Sequence, residues 1–478
     1  MSLKEKTLSG LFWSFLSQGG KQVSQFVITA ILARLVAPSD FGLIGMATVF
    51  TGFAMILGEL GIGGAIIQKQ DLREEHYSSA FWLNVLVGSF TTGLLVLLAP
   101  LIASFFETPE LRMIVVILSL NFLLSSFTVM QQAILTKEMN FRVLMIRDLA
   151  AVVISGIVGI VCAIRGLEVW SLVVQALTYT VVNNLLLWRF SRWRPRLLFS
   201  RAAIEDIFHF SANVTGFQLV NYFARNVDHL IIGKFLGAQA LGYYTLAYKL
   251  MMLPLQNSTW VINKVMFPAF ARIQDQLEKV QENYLKVLKA VALLVFPGMA
   301  LFHVLASDLV SLVYGEQWRP AIALIEILCF CAMAQSVGSL GGIIYLSRGK
   351  ADVQFKMSLV SASVVSIVLL SVVTKGVEAV SLAYTFFYVA WMNVSLYVVA
   401  RMIRLKVIEV YRKLIAPLLL SGATLLVTSY ASELLSGTVI WRIGLLLLVG
   451  ASVFLVLAFL FREFKLENGW QVRIRDVV

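Results

Sequence analysis

The sequence predicts an all-α polytopic membrane protein of about fourteen transmembrane helices, arranged as two parallel-repeat six-helix lobes plus two C-terminal helices, with both termini cytoplasmic. Three observations carry that prediction. The composition is too apolar for water, lysine and arginine are unevenly distributed among the connections, and the stretch 11–50 returns at 211–250.

Composition comes first. Of 478 residues, 59% are hydrophobic and 14% charged, with a mean hydropathy of +0.84. A soluble domain averages roughly 25% charged residues. Too little polar surface is available to coat a globule, so the bilayer is the solvent. The net charge of +12 fits cytoplasmic loops facing anionic lipid better than it fits nucleic acid. Cys162, Cys329 and Cys331 sit in apolar runs without metal or redox spacing, and the four histidines, His76, His209, His229 and His303, form no zinc pattern. No cofactor or metal is expected. Residues 1–6 are a short charged tail without a small-residue cleavage site, which reads as leading into an uncleaved first span.

A span needs about 20 apolar residues. Turn signals divide the chain into candidate spans at 8–35, 41–67, 78–105, 110–135, 143–164, 168–189, 207–235, 241–268, 285–306, 320–346, 355–373, 377–400, 414–431 and 439–461. With the N-terminus inside, the tails and even-numbered connections hold 28 of the 39 lysines and arginines, the odd connections hold 7, and 4 lie within spans. That asymmetry predicts cytoplasmic termini. The predicted division is an N-lobe at 1–190, a basic linker at 191–203, a C-lobe at 204–402, and two further spans with a cytoplasmic tail at 403–478. The charged segment 271–282 is expected to lie along the inner surface. Outer connections are too short for a catalytic domain.

The repeat supplies the symmetry. At an offset of 200, Gln18 meets Gln218, Val27 meets Val227, Ile31 meets Ile231, Gly42 meets Gly242 and Ala47 meets Ala247. Arg34 and Lys234 each precede the matching glycine. Gln18, Lys21 and Gln25 fall on one helix face at i, i+3, i+7, and Gln218, Asn221 and Arg225 occupy the same places in the second copy, with Asp228 extending the face. Spans 1 and 7 are an even number apart, so the repeats run parallel.

Charge at mid-membrane costs on the order of 3 kcal/mol per group, so such residues face a partner or a wet cavity. Lys21 lies 13 residues from both Leu8 and Arg34, about 20 Å from either end at the usual rise. It lines a cavity, or it bonds glutamines across the lobe interface. Arg225 and Asp228 either neutralise one another or belong to the same polar seam. In span 8, Lys249, Gln256 and Asn263 recur every seven residues beside Pro254, with an outward-reaching Lys249 as the alternative. Glu59 sits among Gly58, Gly61, Gly63 and Gly64, which serve close helix packing or a gate. The candidate cavity set is Gln18, Lys21, Gln25, Gln218, Asn221, Arg225, Lys249 and Gln256, and the deep carboxylates are Glu59, Asp228 and Glu326. Cations suit phosphate or carboxylate and amides suit hydroxyls, so the chemistry favours a ligand of sugar-phosphate type.

The runs Gly10-Leu11-Phe12-Trp13-Ser14, Ile31-Leu32-Ala33-Arg34-Leu35, Pro38-Ser39-Asp40-Phe41-Gly42 and Gly58-Glu59-Leu60-Gly61 through Gln68 resemble the oligosaccharide flippases of bacterial polysaccharide synthesis. These form the Wzx-type branch of the multidrug/oligosaccharidyl-lipid/polysaccharide exporter superfamily, and the likeness is greatest to exporters of colanic-acid-like or teichuronic-acid-like polymers. The resemblance implies a two-lobed fold working by alternating access in the bacterial inner membrane. It implies an undecaprenyl-diphosphate-linked oligosaccharide as substrate, moved from the inner to the outer leaflet, with membrane lipids and polysaccharide polymerase machinery as partners. It also implies basic cavity residues, which Lys21, Arg225 and Lys249 match, and coupling to a Na+ or H+ gradient, for which Asp228, Glu59 and Glu326 are the candidates. A drug or cation antiporter of the same superfamily is the alternative, although such a protein would bury more acids than bases. A polysaccharide-modifying enzyme would need a nucleophile–base pairing, and none is readable here.

Overall fold

In hydrocarbon, every backbone N–H and C=O must find its partner within its own segment, so long apolar runs become helices. The computed structural model describes residues 3–59, 62–68, 71–435, 437–460, 464–467 and 471–474. Within these ranges the side chains of 56–59, 205–221, 223–225 and 254–265, among others, lie outside the description. The chain gathers into two compact units, Met1–Gly242 and Tyr243–Val478.

The first unit holds α1 (Leu3–Leu35), α2 (Pro38–Glu59), α3 (Ile62–Gln68), α4 (Glu74–Phe105), α5 (Leu111–Ser126), α6 (Val129–Lys137), α7 (Phe141–Ile164), α8 (Val169–Phe190) and the start of α9 (Arg201–Arg272). The second holds the remainder of α9, then α10 (Leu277–Leu309), α11 (Ala321–Gly338), α12 (Leu340–Ser347), α13 (Ala351–Val372), α14 (Val377–Met402), α15 (Val407–Leu434) and α16 (Val439–Leu460). Among the described residues nine single helical stretches are long and apolar enough to cross a bilayer. The pair α5 and α6, bent by 44°, makes a tenth if it is one broken span. Among the described residues the architecture is all-helical apart from a short antiparallel hairpin, Phe464–Glu467 with Gln471–Ile474. Alternating apolar and polar residues on either side of Asn468-Gly469 explain it.

Local chemistry sets the helix boundaries. Pro38 opens α2 and Asp40 lies in its first turn, where a fixed φ and a negative charge both favour a helix start. α9 is two helices broken at Gly237, whose φ of 81° and ψ of −178° suit only glycine. Within the segment 271–282, α9 ends at Arg272 and a short turn precedes the next helix. α10 begins at Leu277 and runs on to Leu309. Its first turns are held by Gln281, whose Nε2 donates to the carbonyls of Ile403 and Arg404 at 2.7 and 3.1 Å.

The first unit has two apolar clusters that matter for the site. Ile28 and Leu32 of α1 and Val36 just after it pack with Val152 and Ala163 of α7 and Leu172 of α8, with Tyr179 against them. Phe81, Ile66, Met130 and Ala133 form the other, enclosed by Trp82, Trp188 and Trp193. Between the repeated segments the contact is backbone on backbone. A Cβ on Gly42 would stand 1.7 Å from the carbonyl oxygen of Ala238, and one on Gly242 would stand 1.8 Å from that of Pro38. Positions 42 and 242 are equivalent in the repeat, as are 38 and 238, so the two contacts are reciprocal.

Candidate functional site

The site is built on α1, α7 and α8, which approach closely because glycines face the contact. A Cβ on Gly156 of α7 would meet Ile28 Cδ1 of α1 at 2.2 Å, and one on Gly159 would meet Gln175 Cβ of α8 at 2.9 Å. This packing puts Lys21 opposite Tyr179. The half-buried ammonium donates to the Tyr179 hydroxyl at 3.3 Å and lies 5.6 Å from the ring centroid. A hydroxyl and a ring face lower the cost of a buried cation without cancelling its charge. Gln18 and Gln25, on the same face of α1, are exposed.

Tyr179 was not among the residues anticipated from the sequence, though a signal for it exists. Gln175, Tyr179 and Asn183 recur at i, i+4, i+8 in an apolar helix, the same kind of stripe that marked α1. Asn183 Oδ1 is buried without a hydrogen-bond partner. The adjacent face of α8 is fully engaged with α5. Thr180 Oγ1 donates to Asn121 Oδ1 at 2.6 Å, and Asn184 Nδ2 donates to the Leu124 carbonyl at 3.0 Å. α8 is thus pinned on one side and presents polar groups on the other.

Asp228 of α9 is 1% exposed. Its Oδ1 accepts the His229 backbone N–H at 2.9 Å and lies 3.1 Å from His229 Nδ1. The expected pairing with Arg225 lies outside the described residues, as do the side chains of Gln218, Asn221, Gln256 and Glu59. Tyr222, between these positions, donates its hydroxyl to the Thr48 carbonyl of α2 at 2.9 Å. Near the end of this part of α9, Lys234 donates to Glu107 Oε1 at 2.7 Å, which holds the Glu107 carboxyl below its ordinary range.

In the second unit Lys249 is exposed and Glu326 half-buried. The Glu326 carbonyl lies 3.1 Å from His303 Nδ1. Beside Lys249, Tyr248 belongs to a ladder of rings that sequence reasoning also passed over. Tyr244 and Tyr248 stack at 5.9 Å, Tyr384 meets both at 6.5 and 6.3 Å, and Tyr388 adjoins Tyr384 at 4.6 Å. Tyr-x-x-x-Tyr occurs in both α9 and α14. Among the described residues no three His, Cys, Asp or Glu side chains converge as a metal site requires.

Residues 31–323 match a family described as polysaccharide biosynthesis protein. The chain belongs to that family. Lipopolysaccharide biosynthesis protein WzxC of Escherichia coli (strain K12) is 31% identical over 365 residues, covering 75% of this chain and 73% of the relative. Teichuronic acid biosynthesis protein TuaB of Bacillus subtilis (strain 168) is 27% identical and spans 95% and 96% of the two chains. In fold the chain is similar to the lipid II flippase MurJ in an inward closed conformation, with a TM-score of 0.74 at 14% identity over 94% of this chain and 98% of that one. An inward-facing multidrug-resistance transporter of the MATE family gives 0.65 at 16% identity, over 80% and 94%. The protein is therefore a multi-pass membrane member of a polysaccharide biosynthesis family, with a fold similar to that of solved transporters.

Proposed function

We propose that this protein is a flippase that carries an undecaprenyl-diphosphate-linked oligosaccharide from the inner to the outer leaflet for surface polysaccharide synthesis. One observation carries the reading: Lys21, deep in α1, is a half-buried cation met by the neutral Tyr179. A cation kept there without a counter-ion among the described residues is matched to an anionic cargo, and a diphosphate supplies that charge. The relatives' names support the polysaccharide assignment, and the likeness to MurJ supports the fold it needs.

The proposal extends to architecture and mechanism. The chain has fourteen spans with both termini in the cytoplasm, divided at 1–190, 191–203, 204–402 and 403–478. Transport proceeds by alternating access through a cationic cavity to which Lys21, Arg225 and Lys249 contribute charge and Gln18, Gln25, Gln218, Asn221 and Gln256 contribute amides. The polyprenyl tail remains in hydrocarbon while only the charged head crosses, so the protein need solvate only the head. A Na+ or H+ gradient resets the cycle through Asp228, Glu59 or Glu326, and the polysaccharide polymerase receives the product.

The test is movement of a fluorescent undecaprenyl-diphosphate oligosaccharide in proteoliposomes. The wild-type protein should move it, and Lys21→Ala should slow it tenfold or more while remaining folded. An idle wild type across several oligosaccharides and imposed Na+ and H+ gradients would sink the proposal.

A further inference from the structure

Residues 191–200 cross one end of the first unit as an irregular strap between α8 and α9. One side of it is stapled to α4. Trp193 Nε1 donates to Glu74 Oε1 at 3.0 Å, and Trp82 Nε1 donates to the Arg196 carbonyl at 2.9 Å. The backbone N–H groups of Arg196 and Ser200 donate to Ser78 Oγ and Ser79 Oγ at 3.1 and 2.8 Å. The Trp193 ring packs 5.9 Å from that of Phe81. Arg194 closes the end of α8, donating to the carbonyls of Trp188 and Ser191 at 2.8 and 2.7 Å and lying over the Trp188 ring.

The other side of the strap, with Arg189 in the last turn of α8 beside it, carries arginines that find no polar partner among the described residues. Arg189, Arg192 and Arg196 are exposed, and their guanidinium groups have no acidic or hydrogen-bonding partner among the described residues. Next to them Leu197 is 88%, Leu198 42% and Phe199 62% exposed. The strap lies where α4 begins and α8 ends, both of them apolar enough to span a bilayer, so it sits at a membrane surface. A rigid backbone that displays unpaired arginines beside exposed apolar side chains at that level matches one partner in both charge and polarity.

We propose that the strap is a docking site for anionic phospholipid headgroups. Arg189, Arg192 and Arg196 bind lipid phosphates while Leu197, Leu198 and Phe199 enter the adjoining acyl region. The three arginines are free because Arg194 alone does the work of capping α8. The bound lipid fixes the level of this end of α4 and α8 relative to the membrane surface. Assigning that surface to the cytoplasm rests on the proposed orientation, but the lipid site itself does not depend on transport.

The test is retention of phosphatidylglycerol against phosphatidylcholine by the full-length protein in neutral detergent, read by native mass spectrometry. Wild type should retain phosphatidylglycerol preferentially. Each arginine removed should weaken retention about fivefold, so Arg192→Gln with Arg196→Gln loses roughly twenty-five-fold. Arg112→Gln with Arg165→Gln, at the opposite end of these helices, should leave it unchanged. In wild type alone, the amides of residues 197–199 should exchange hydrogen more slowly in phosphatidylglycerol nanodiscs than in phosphatidylcholine nanodiscs. Equal retention of the two lipids, equal exchange in the two discs, or a folded double variant that binds like wild type overturns the assignment.

Discussion

Arg147 and Lys21 are both cations of the first unit withdrawn from water, and they are accommodated in different ways. Arg147, 7% exposed, donates through Nε to Asp148 Oδ1 at 2.9 Å and through Nη1 to Gln132 Oε1 at 3.1 Å, with a second contact from Nη2 to Asp148. Its charge is cancelled and most of its donors are used. Lys21 has the hydroxyl and ring of Tyr179 and no carboxylate among the described residues. The first arrangement is complete within the protein and serves the packing of α6 against α7. The second leaves a positive charge available to a ligand. A buried charge therefore marks a functional site only when its neutralisation is unfinished.

Four outcomes would break or sharpen this contrast. The largest effect is expected from Arg147→Ala, which leaves Asp148 without its cation and should cost about 3–5 kcal/mol. Thermal unfolding in detergent checks it, and Arg147→Leu with Asp148→Leu should recover most of the loss. Lys21→Ala should do the reverse, lowering the flipping rate tenfold or more with a stability change of about 1 kcal/mol or less. If it destabilises as much as Arg147→Ala, Lys21 is a packing residue and the contrast collapses.

Tyr179→Phe keeps the ring and removes the hydroxyl. A neutral hydrogen bond is worth about 1 kcal/mol, so a transport loss of roughly fivefold is expected, with an unchanged melting temperature. The smallest effect concerns Glu107, which lies outside the spans. Lys234 lowers its folded-state pKa, so the pair's contribution is present at neutral pH and is lost as pH falls below the ordinary carboxyl value of 4.5 and through the depressed folded value. Stability of wild type should therefore fall slightly more between pH 6 and about 3 than that of Lys234→Ala, a difference readable in paired thermal melts.

Reading the chain as a sequence located the lysine but not its partner. Lys21 stood out because a charge far from either end of an apolar helix is costly, and that distance follows from counting residues along one helix. Tyr179 lies 158 positions away, and nothing local couples the two. The same holds for Asp228. The stripe pointed to Arg225 one turn earlier, a pairing that lies outside the described residues, and it gave no sign of the His229 ring and amide that meet the Asp228 carboxylate. Gly42 and Gly242 were legible as a matched pair, though not as the reciprocal contacts they make with Ala238 and Pro38.

By itself the sequence determined that the protein lives in a membrane and is built of long helices, and it singled out Lys21 as a cation in an apolar run. These are one-dimensional consequences of a solvent that accepts only apolar surface and self-satisfied backbone. Only the tertiary structure decided which cations are neutralised, which are left open, and how the basic connection after α8 is held flat by Trp82, Trp193 and two serines. Those outcomes depend on which helices approach one another, and close approach is governed by side-chain size at contacts distant in sequence.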